Sequence, residues 1–189
     1  MTGSSESKQK KQKSGLSDGY IQVYTGNGKG KTTAALGLAL RAAGHGLKTF
    51  IGQFLKGRDY GELHAAEKLR PLITIKQFGK KGFIHVRGDP DAEDIQRAEK
   101  ALSACREAML SGKYSIVILD EICIALYFHL LAEEDVLELL RRKPKNVELV
   151  LTGRYAPESI IAAADLVTEM KEVKHYYQKG IQARKGFEK

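Results

Sequence analysis

The chain has 189 residues with a formal net charge of +8, and 42% of its residues are hydrophobic and 29% charged. This length and balance suit one folded domain with its own core, and they exclude a disordered chain or a small disulfide-held scaffold. Its apolar runs are too short to span a membrane, and its two cysteines form no disulfide framework, which indicates a cytoplasmic protein.

The basic charge is concentrated at the two ends of the chain. Residues 1–18 are rich in Ser, Lys and Gln, and we predict a basic flexible leader there, followed by a single domain over residues 19–189. Neither end has the aromatic interleaving or the continuous basic stripe of a nucleic-acid interface. No nucleic-acid partner is therefore expected.

The first predicted strand, Tyr20 to Thr25, is followed by a glycine-rich loop and by a helix over Lys31 to Ala43. The loop reads Thr-Gly-Asn-Gly-Lys-Gly-Lys-Thr-Thr over residues 25–33, a pattern typical of polyphosphate binding. We call residues 25–33 the phosphate loop. Thr25 stands where the pattern normally has Gly, at the end of the strand.

Each residue type in the phosphate loop has a chemical reason to be there. Glycines can adopt positive φ and turn successive N–H groups toward phosphate oxygens, and we expect this of Gly26, Gly28 and Gly30. Lys31 supplies a point charge toward the outer phosphates, and the Thr32 hydroxyl can hold Mg²⁺. The helix that begins at Lys31 adds the positive end of its dipole.

Strands and helices alternate along the rest of the chain. The further predicted strands are Lys48 to Leu55, Leu72 to Phe78, Ser115 to Leu119, Val147 to Thr152 and Leu166 to Met170. The further predicted helices are Gly61 to Leu69, a helix capped by Asp89 that starts at Pro90 and runs to about Ser111, Ile122 to Leu130, Glu133 to Arg142 and Pro157 to Ala163. This alternation predicts an α/β fold in which a mostly parallel sheet has helices on both faces.

Polar side chains at the carboxyl ends of parallel strands are the candidates for ligand binding. Besides the phosphate loop they include Gln53, Asp120, Glu121 and Arg154. An apolar strand that ends in Asp120 and Glu121 matches the acidic strand that accompanies a phosphate loop and binds Mg²⁺ directly or through water. Arg154 is either a phosphate ligand or an exposed loop arginine.

The remaining reactive side chains give weaker signals. The five histidines show no metal-ligand spacing, and Cys105 and Cys123 lie in apolar surroundings typical of buried thiols. No Ser/His/Asp or Cys/His arrangement can be argued from the sequence. If the protein is an enzyme, its nucleophile therefore belongs to a substrate.

Together these residues resemble the corrinoid adenosyltransferase family of the phosphate-loop type over almost the whole chain from Tyr20 onward. The likeness is carried by the phosphate loop and by eight further segments. These segments are Gly44-His45-Gly46, Gln53-Phe54-Leu55-Lys56-Gly57, Gly61-Glu62, Asp120-Glu121, Thr152-Gly153-Arg154, Ala164-Asp165, Val173-Lys174-His175 and Gly186-Phe187-Glu188.

The resemblance implies a RecA-like P-loop NTPase fold and the transfer of the 5′-deoxyadenosyl group of ATP to the cobalt of a reduced corrinoid, cob(I)alamin or cobyrinic acid a,c-diamide. The whole triphosphate leaves, and ATP is held in reverse relative to ordinary phosphate-loop hydrolases. The implied triphosphate ligands are Asn27, Gly28, Lys29, Gly30, Lys31, Thr32 and Thr33, with weaker nucleotide contacts from Arg41 and Arg154. Mg²⁺ is implied at Thr32, Asp120 and Glu121, with Lys31 and Glu121 as catalytic residues, a homodimer as the assembly and a flavoprotein or other reductase as electron donor.

A further loop, Gly79 to Gly88, has three glycines among basic and apolar residues and is interpreted as functional. It aligns with a family segment Gly-Phe-Thr-Trp whose aromatic side chains help to displace the lower cobalt ligand. The resemblance therefore assigns a catalytic role to Phe83 and a corrinoid contact to His85. This chain has His85 where the family has Trp, and it contains no Trp.

Two other hypotheses are compatible with the motifs. A generic P-loop ATPase or kinase would share both the phosphate loop and the acidic strand. A binding module stimulated by nucleic acid would use the basic ends of the chain.

Overall fold

A computed structural model of the chain describes residues 16–80 and 90–189. The leader predicted over residues 1–18 lies mostly outside this part. Within it, the strands are β1 (Ile21–Thr25), β2 (Thr49–Gln53), β3 (Ile73–Gln77), β4 (Ile116–Asp120), β5 (Glu148–Thr152) and β6 (Leu166–Glu169). The helices are α1 (Lys31–Ala43), α2 (Gly61–Lys68), α3 (Ala92–Leu110), α4 (Ile122–Tyr127), α5 (Glu133–Arg141) and α6 (Glu158–Ala162), followed by a 3-10 turn at Tyr176–Lys179.

All described strands pair in parallel, in the order β3-β2-β4-β5-β1-β6. The strand that precedes the phosphate loop, β1, is thus separated from the acidic strand β4 by β5 alone. The carboxyl ends of all three strands meet at one edge of the sheet. The topology therefore places the phosphate loop next to Asp120.

The core lies on both faces of the sheet, as the buried strand runs predict. Alternate residues of β4 point to opposite faces: Val117 and Leu119 pack in the larger cluster with α3, α4 and α5, while Ile116 and Ile118 pack with α1 and α2. A strand covered on both faces has to be apolar at every position. The predicted α/β fold with helices on both faces is confirmed.

The start of α3 differs from the prediction. The sequence Asp89-Pro90-Asp91 offers two capping carboxylates, and the first was expected to cap a helix beginning at Pro90. In the structure the cap is Asp91, whose side chain accepts a hydrogen bond from the Glu93 N–H at 3.0 Å, and α3 begins at Ala92. The helix near residue 122 is also shorter than predicted, ending at Tyr127.

No helix within residues 16–80 and 90–189 combines the length and the apolar character needed to cross a bilayer. The two cysteines are free and buried, as predicted. Burial raises the pKa of both thiols to about 12, so both stay protonated at neutral pH. Neither thiol is therefore available as a nucleophile.

Candidate nucleotide site

The phosphate loop connects β1 to α1 and has two glycines with positive φ. Gly26 has φ 91° and Gly30 has φ 127°, as expected for the turns on either side of a phosphate. Gly28 differs from the prediction, because it does not have positive φ and its N–H donates to the Met170 carbonyl at 2.6 Å. A Cβ on Gly28 would lie 2.6 Å from that oxygen. Gly28 is therefore needed for close packing against the segment after β6.

This packing predicts opposite effects for two glycine substitutions. We expect Gly28→Ala to reduce the free energy of unfolding by about 1–3 kcal/mol, because the Met170 backbone has to shift. Gly37→Ala is the matched control, since Gly37 lies in α1 with no atom within 4 Å of a Cβ. It is expected to stabilise the protein by about 0.5–1 kcal/mol. Urea unfolding measures both, and a Gly28→Ala protein as stable as the unsubstituted one would contradict this account.

Lys31 is buried at the first position of α1, with its side chain curled back under the phosphate loop. Its ammonium donates to the Gly26 carbonyl at 2.6 Å and to the Gly28 carbonyl at 2.7 Å. Burial lowers its pKa; Glu121 nearby acts in the opposite direction and Arg154 in the same one. Within residues 16–80 and 90–189 its side-chain hydrogen bonds go only to these carbonyls, and a buried ammonium in such surroundings is poised to accept an anion.

Lys29, in contrast, is exposed. Its ammonium contacts the carboxylate of Glu188 and the carbonyl of Phe187, each at 2.9 Å. Phe187 and Glu188 are thereby attached to the phosphate loop. The two lysines of the loop thus have different surroundings, one internal and one engaged by the terminus.

Asp120, at the end of β4, is 1% exposed and accepts hydrogen bonds from four side chains. One carboxylate oxygen accepts from the hydroxyls of Thr32 and Thr152, each at 2.8 Å. The other accepts from the ammonium of Lys56 at 2.8 Å and from the amide of Gln53 at 3.2 Å. Asp120 therefore links the phosphate loop to the ends of three strands.

Lys56 belongs to the site, although the sequence pattern assigned it no role. It was noted only as part of the segment Gln53 to Gly57. Its ammonium lies 2.8 Å from Asp120, 3.2 Å from the Thr32 hydroxyl and 3.8 Å from the Glu62 carboxylate. Burial alone would lower the pKa of Lys56, but the carboxylates of Asp120, Glu121 and Glu62 together outweigh this effect and raise it. The residue stays charged within the site.

Glu121 follows Asp120 and has the left-handed φ of 68°, which is uncommon for a residue with a side chain. Its N–H donates to the Thr152 hydroxyl at 2.9 Å, which fixes the turn. Burial raises the pKa of Glu121, Asp120 raises it further, and Lys56, Lys31 and Arg154 oppose the shift. The turn directs the two neighbouring carboxylates differently: Asp120 is buried, whereas Glu121 lines the cleft.

An open cleft of about 820 Å³ lies over the phosphate loop, a volume suited to a nucleotide or a similar ligand. Gly28 to Thr33, Lys56, Glu121 and Arg154 line it, and Tyr127 and Tyr155, with ring centroids 4.3 Å apart, form part of its wall. The terminal residues from Gly186 to Lys189 line it as well.

The structure does not bring every predicted residue to this cleft. Arg41 is exposed in the last turn of α1, about 15 Å along the helix axis from Lys31. Asn27 is exposed at the tip of the phosphate loop. Phe83 and His85 lie outside the described residues, so their predicted roles stay predictions.

These features of the fold and the cleft define the class of protein to which the chain belongs. A parallel sheet with a phosphate loop after β1 and an acidic strand end two positions away is a RecA-like phosphate-loop protein. A KaiC-like protein from Pyrococcus horikoshii shares this fold, with a TM-score of 0.55 and 22% identity over 85% of this chain and 76% of that one. The chain belongs to the family described as ATP:corrinoid adenosyltransferase BtuR/CobO/CobP, whose model matches residues 17–188.

Individual relatives agree with this assignment. The chain is 40% identical to the corrinoid adenosyltransferase of a Sinorhizobium species over 90% of its own length and 80% of the relative's. It is 36% identical to the corrinoid adenosyltransferase of Escherichia coli over 90% of its own length and 85% of the relative's. The predicted fold, family and enzyme class are therefore confirmed, and the family activity is the adenosylation of a corrinoid by ATP.

Proposed function

We propose that this chain binds ATP with its triphosphate in the phosphate loop and holds that triphosphate as the leaving group of adenosyl transfer. The observation that supports this is the convergence of Lys31, Lys56 and the start of α1 on one cleft beside a buried carboxylate. Each of these groups attracts negative charge. In the reaction, the electron pair of reduced cobalt in the corrinoid substrate attacks C5′, and the C5′–O bond breaks in favour of the triphosphate.

Lys31 is the residue proposed to act on the leaving group. Its ammonium contacts only carbonyl oxygens of the phosphate loop among the described side-chain hydrogen bonds, and it can turn from them to a phosphate oxygen. A preorganised donor in a buried site stabilises the charge that develops on the departing oxygen. The negative charge of the triphosphate also offsets the cost of burying the ammonium.

The residues around Asp120 fit Mg²⁺. A carboxylate and a hydroxyl are the oxygen ligands that this ion prefers, and the ammonium of Lys56 between them indicates that the position favours a cation. No cluster of three or more His, Cys, Asp or Glu that could hold a metal occurs in the described ranges. Magnesium would therefore be held by Thr32 and Asp120 together with phosphate oxygens, with Glu121 nearby, and would supply charge neutralisation to the leaving group.

Arg154 and Glu121 are proposed to shape the charge of the cleft. Arg154 is exposed just beyond β5 and can pair with a phosphate, whereas Glu121 balances the surrounding cations. Phe83 and His85 are proposed corrinoid contacts on the basis of the family resemblance. A homodimer and a flavoprotein or other reductase as electron donor are proposed on the same basis, and a cytoplasmic location is proposed from the cysteine content and the short apolar runs of the sequence.

An anaerobic assay tests this function. With ATP, Mg²⁺ and chemically reduced cob(I)alamin, we expect a light-sensitive adenosylcorrinoid and one triphosphate per adenosyl group transferred. The control omits the corrinoid and is expected to leave ATP intact. Formation of ADP and phosphate without any dependence on corrinoid would instead support the ATPase or kinase hypothesis and contradict the proposal.

A further inference from the structure

Lys56 lies where a phosphate-loop protein would hold its divalent cation. Its ammonium bridges the Thr32 hydroxyl and one oxygen of the Asp120 carboxylate, at 3.2 and 2.8 Å. The Thr32 hydroxyl gives its proton to the other oxygen of Asp120 and accepts one from Lys56. The ammonium uses one of the two lone pairs of that hydroxyl, and a metal shared between the hydroxyl and Asp120 would compete with it for the same position.

The backbone holds Lys56 at this position. The preceding residue, Leu55, has a left-handed φ of 59°, which is costly for a residue with a side chain. A Cβ on Gly57 would lie 2.3 Å from the Gly79 carbonyl oxygen, and the Gly79 N–H donates to the Lys56 carbonyl at 2.8 Å. Close packing between residues 55–57 and Gly79 thus stabilises the strained backbone conformation of Leu55. The backbone position of Lys56 is fixed by the same contacts.

Charge balance restricts how a divalent cation can bind beside Asp120 and Lys56. Asp120 is 1% exposed, and a buried carboxylate needs a cationic partner. A second cation between the same two oxygens would repel the ammonium at close range. Lys56 has a flexible stem and lines the cleft with the phosphate loop, so its ammonium can turn toward bound phosphates.

We propose that Lys56 is a positioning residue that exchanges places with the divalent cation. In the free protein its ammonium neutralises Asp120, and when metal and nucleotide bind together it moves onto the triphosphate. This inference rests on the proposed function of the site. The exchange keeps Asp120 neutralised throughout and adds one positive charge to the leaving group.

Metal binding in two conditions tests the exchange. Mn²⁺ binding is measured by electron paramagnetic resonance with the protein alone and with inorganic tripolyphosphate, for the unsubstituted protein and for Lys56→Met. Without tripolyphosphate, Lys56→Met is expected to bind Mn²⁺ about tenfold more tightly, because no ammonium competes for Asp120. With tripolyphosphate the order is expected to reverse, since the variant lacks the lysine contact to the phosphates.

Two further variants complete the design. Lys48→Met is the matched control, because Lys48 is exposed next to the other end of β2, and it is expected to leave both affinities unchanged. Lys56→Gln retains a hydrogen-bond donor without the charge. It is expected to show the same two changes in Mn²⁺ affinity as Lys56→Met, and it replaces that variant in the comparison if Lys56→Met folds poorly. Circular dichroism establishes folding for each protein.

The outcomes separate this inference from the proposed function. Equal Mn²⁺ affinity in the unsubstituted protein and both Lys56 variants, without tripolyphosphate, would overturn the exchange. A change of the same sign in both conditions would overturn it as well. By contrast, tripolyphosphate binding that is independent of Mn²⁺ in the unsubstituted protein would contradict the metal assignment on which the proposed function depends.

Discussion

Replacing Lys31 by alanine is expected to lower kcat for adenosyl transfer by roughly 10²–10³-fold, the usual cost of removing one preorganised donor from a developing oxyanion. The expectation follows from the position of the ammonium, which is buried under the phosphate loop and contacts Gly26 and Gly28 through their carbonyl oxygens. The measurement is steady-state kinetics with saturating reduced corrinoid, together with the Kd for inorganic tripolyphosphate. Both the rate and the affinity should fall.

Lys29→Ala is the matched control for this experiment. Lys29 has the same side chain two positions earlier, but its ammonium is exposed and contacts Glu188 and Phe187. Removing it should change kcat less than tenfold, since exposed ion pairs contribute little. Similar losses of kcat in the two variants would contradict a special role for Lys31. Lys31→Arg should not restore the rate, because a planar guanidinium cannot replace a compact ammonium in a buried pocket.

Much of the fold could be predicted because the physical signals were local. Runs such as Ile116 to Leu119 are short, rich in β-branched residues and apolar at every position, as a strand covered on both faces requires. The alternation of such runs with helical segments then leaves a parallel sheet as the simplest arrangement. The order of the strands, with β5 between β1 and β4, is set by long-range packing that the sequence pattern does not reveal.

Two predictions were wrong, one on the residue that caps α3 and one on the backbone conformation of Gly28. Asp89 and Asp91 are both able to cap a helix, and α3 begins after the second. Gly28 was expected to take a positive φ like its neighbours, but its role depends on the Met170 backbone, which is distant in sequence. For Gly28 a tertiary contact decided the outcome, and local propensity cannot supply such a contact.

The site was only partly predictable for a similar reason. Thr32 and Asp120 follow from the motif, since their chemistry is tied to a phosphate loop. The hydrogen bonds that Asp120 accepts from Gln53, Lys56 and Thr152 come from the carboxyl ends of two other strands, β2 and β5, and only the assembled sheet brings them together. The motif containing Gln53 and Lys56 was visible, but a lysine in a loop is usually a solvated surface residue.

Asp120→Asn is expected to remove both stability and metal-dependent activity. The substitution puts an NH₂ group where one carboxylate oxygen accepts two hydrogen bonds, and it leaves the Lys56 ammonium without its nearest anion. Breaking a buried network of this kind should cost about 2–4 kcal/mol of the free energy of unfolding, measured in urea. Adenosyl transfer should fall at least ~10²-fold, and raising the Mg²⁺ concentration should not restore it.

Glu121→Gln distinguishes a structural from a chemical role for the paired carboxylates. The pKa of Glu121 is raised by burial and by Asp120, so folding disfavours its charged form, and removing the charge should cost less than about 1 kcal/mol of stability. Its transfer rate should nevertheless fall, because Glu121 lines the cleft near Lys31. If the two variants lost equal stability, the distinction between a buried, fully bonded Asp120 and a cleft-lining Glu121 would be wrong. Loss of stability confined to Asp120→Asn, with loss of rate in both, is the result that the geometry requires.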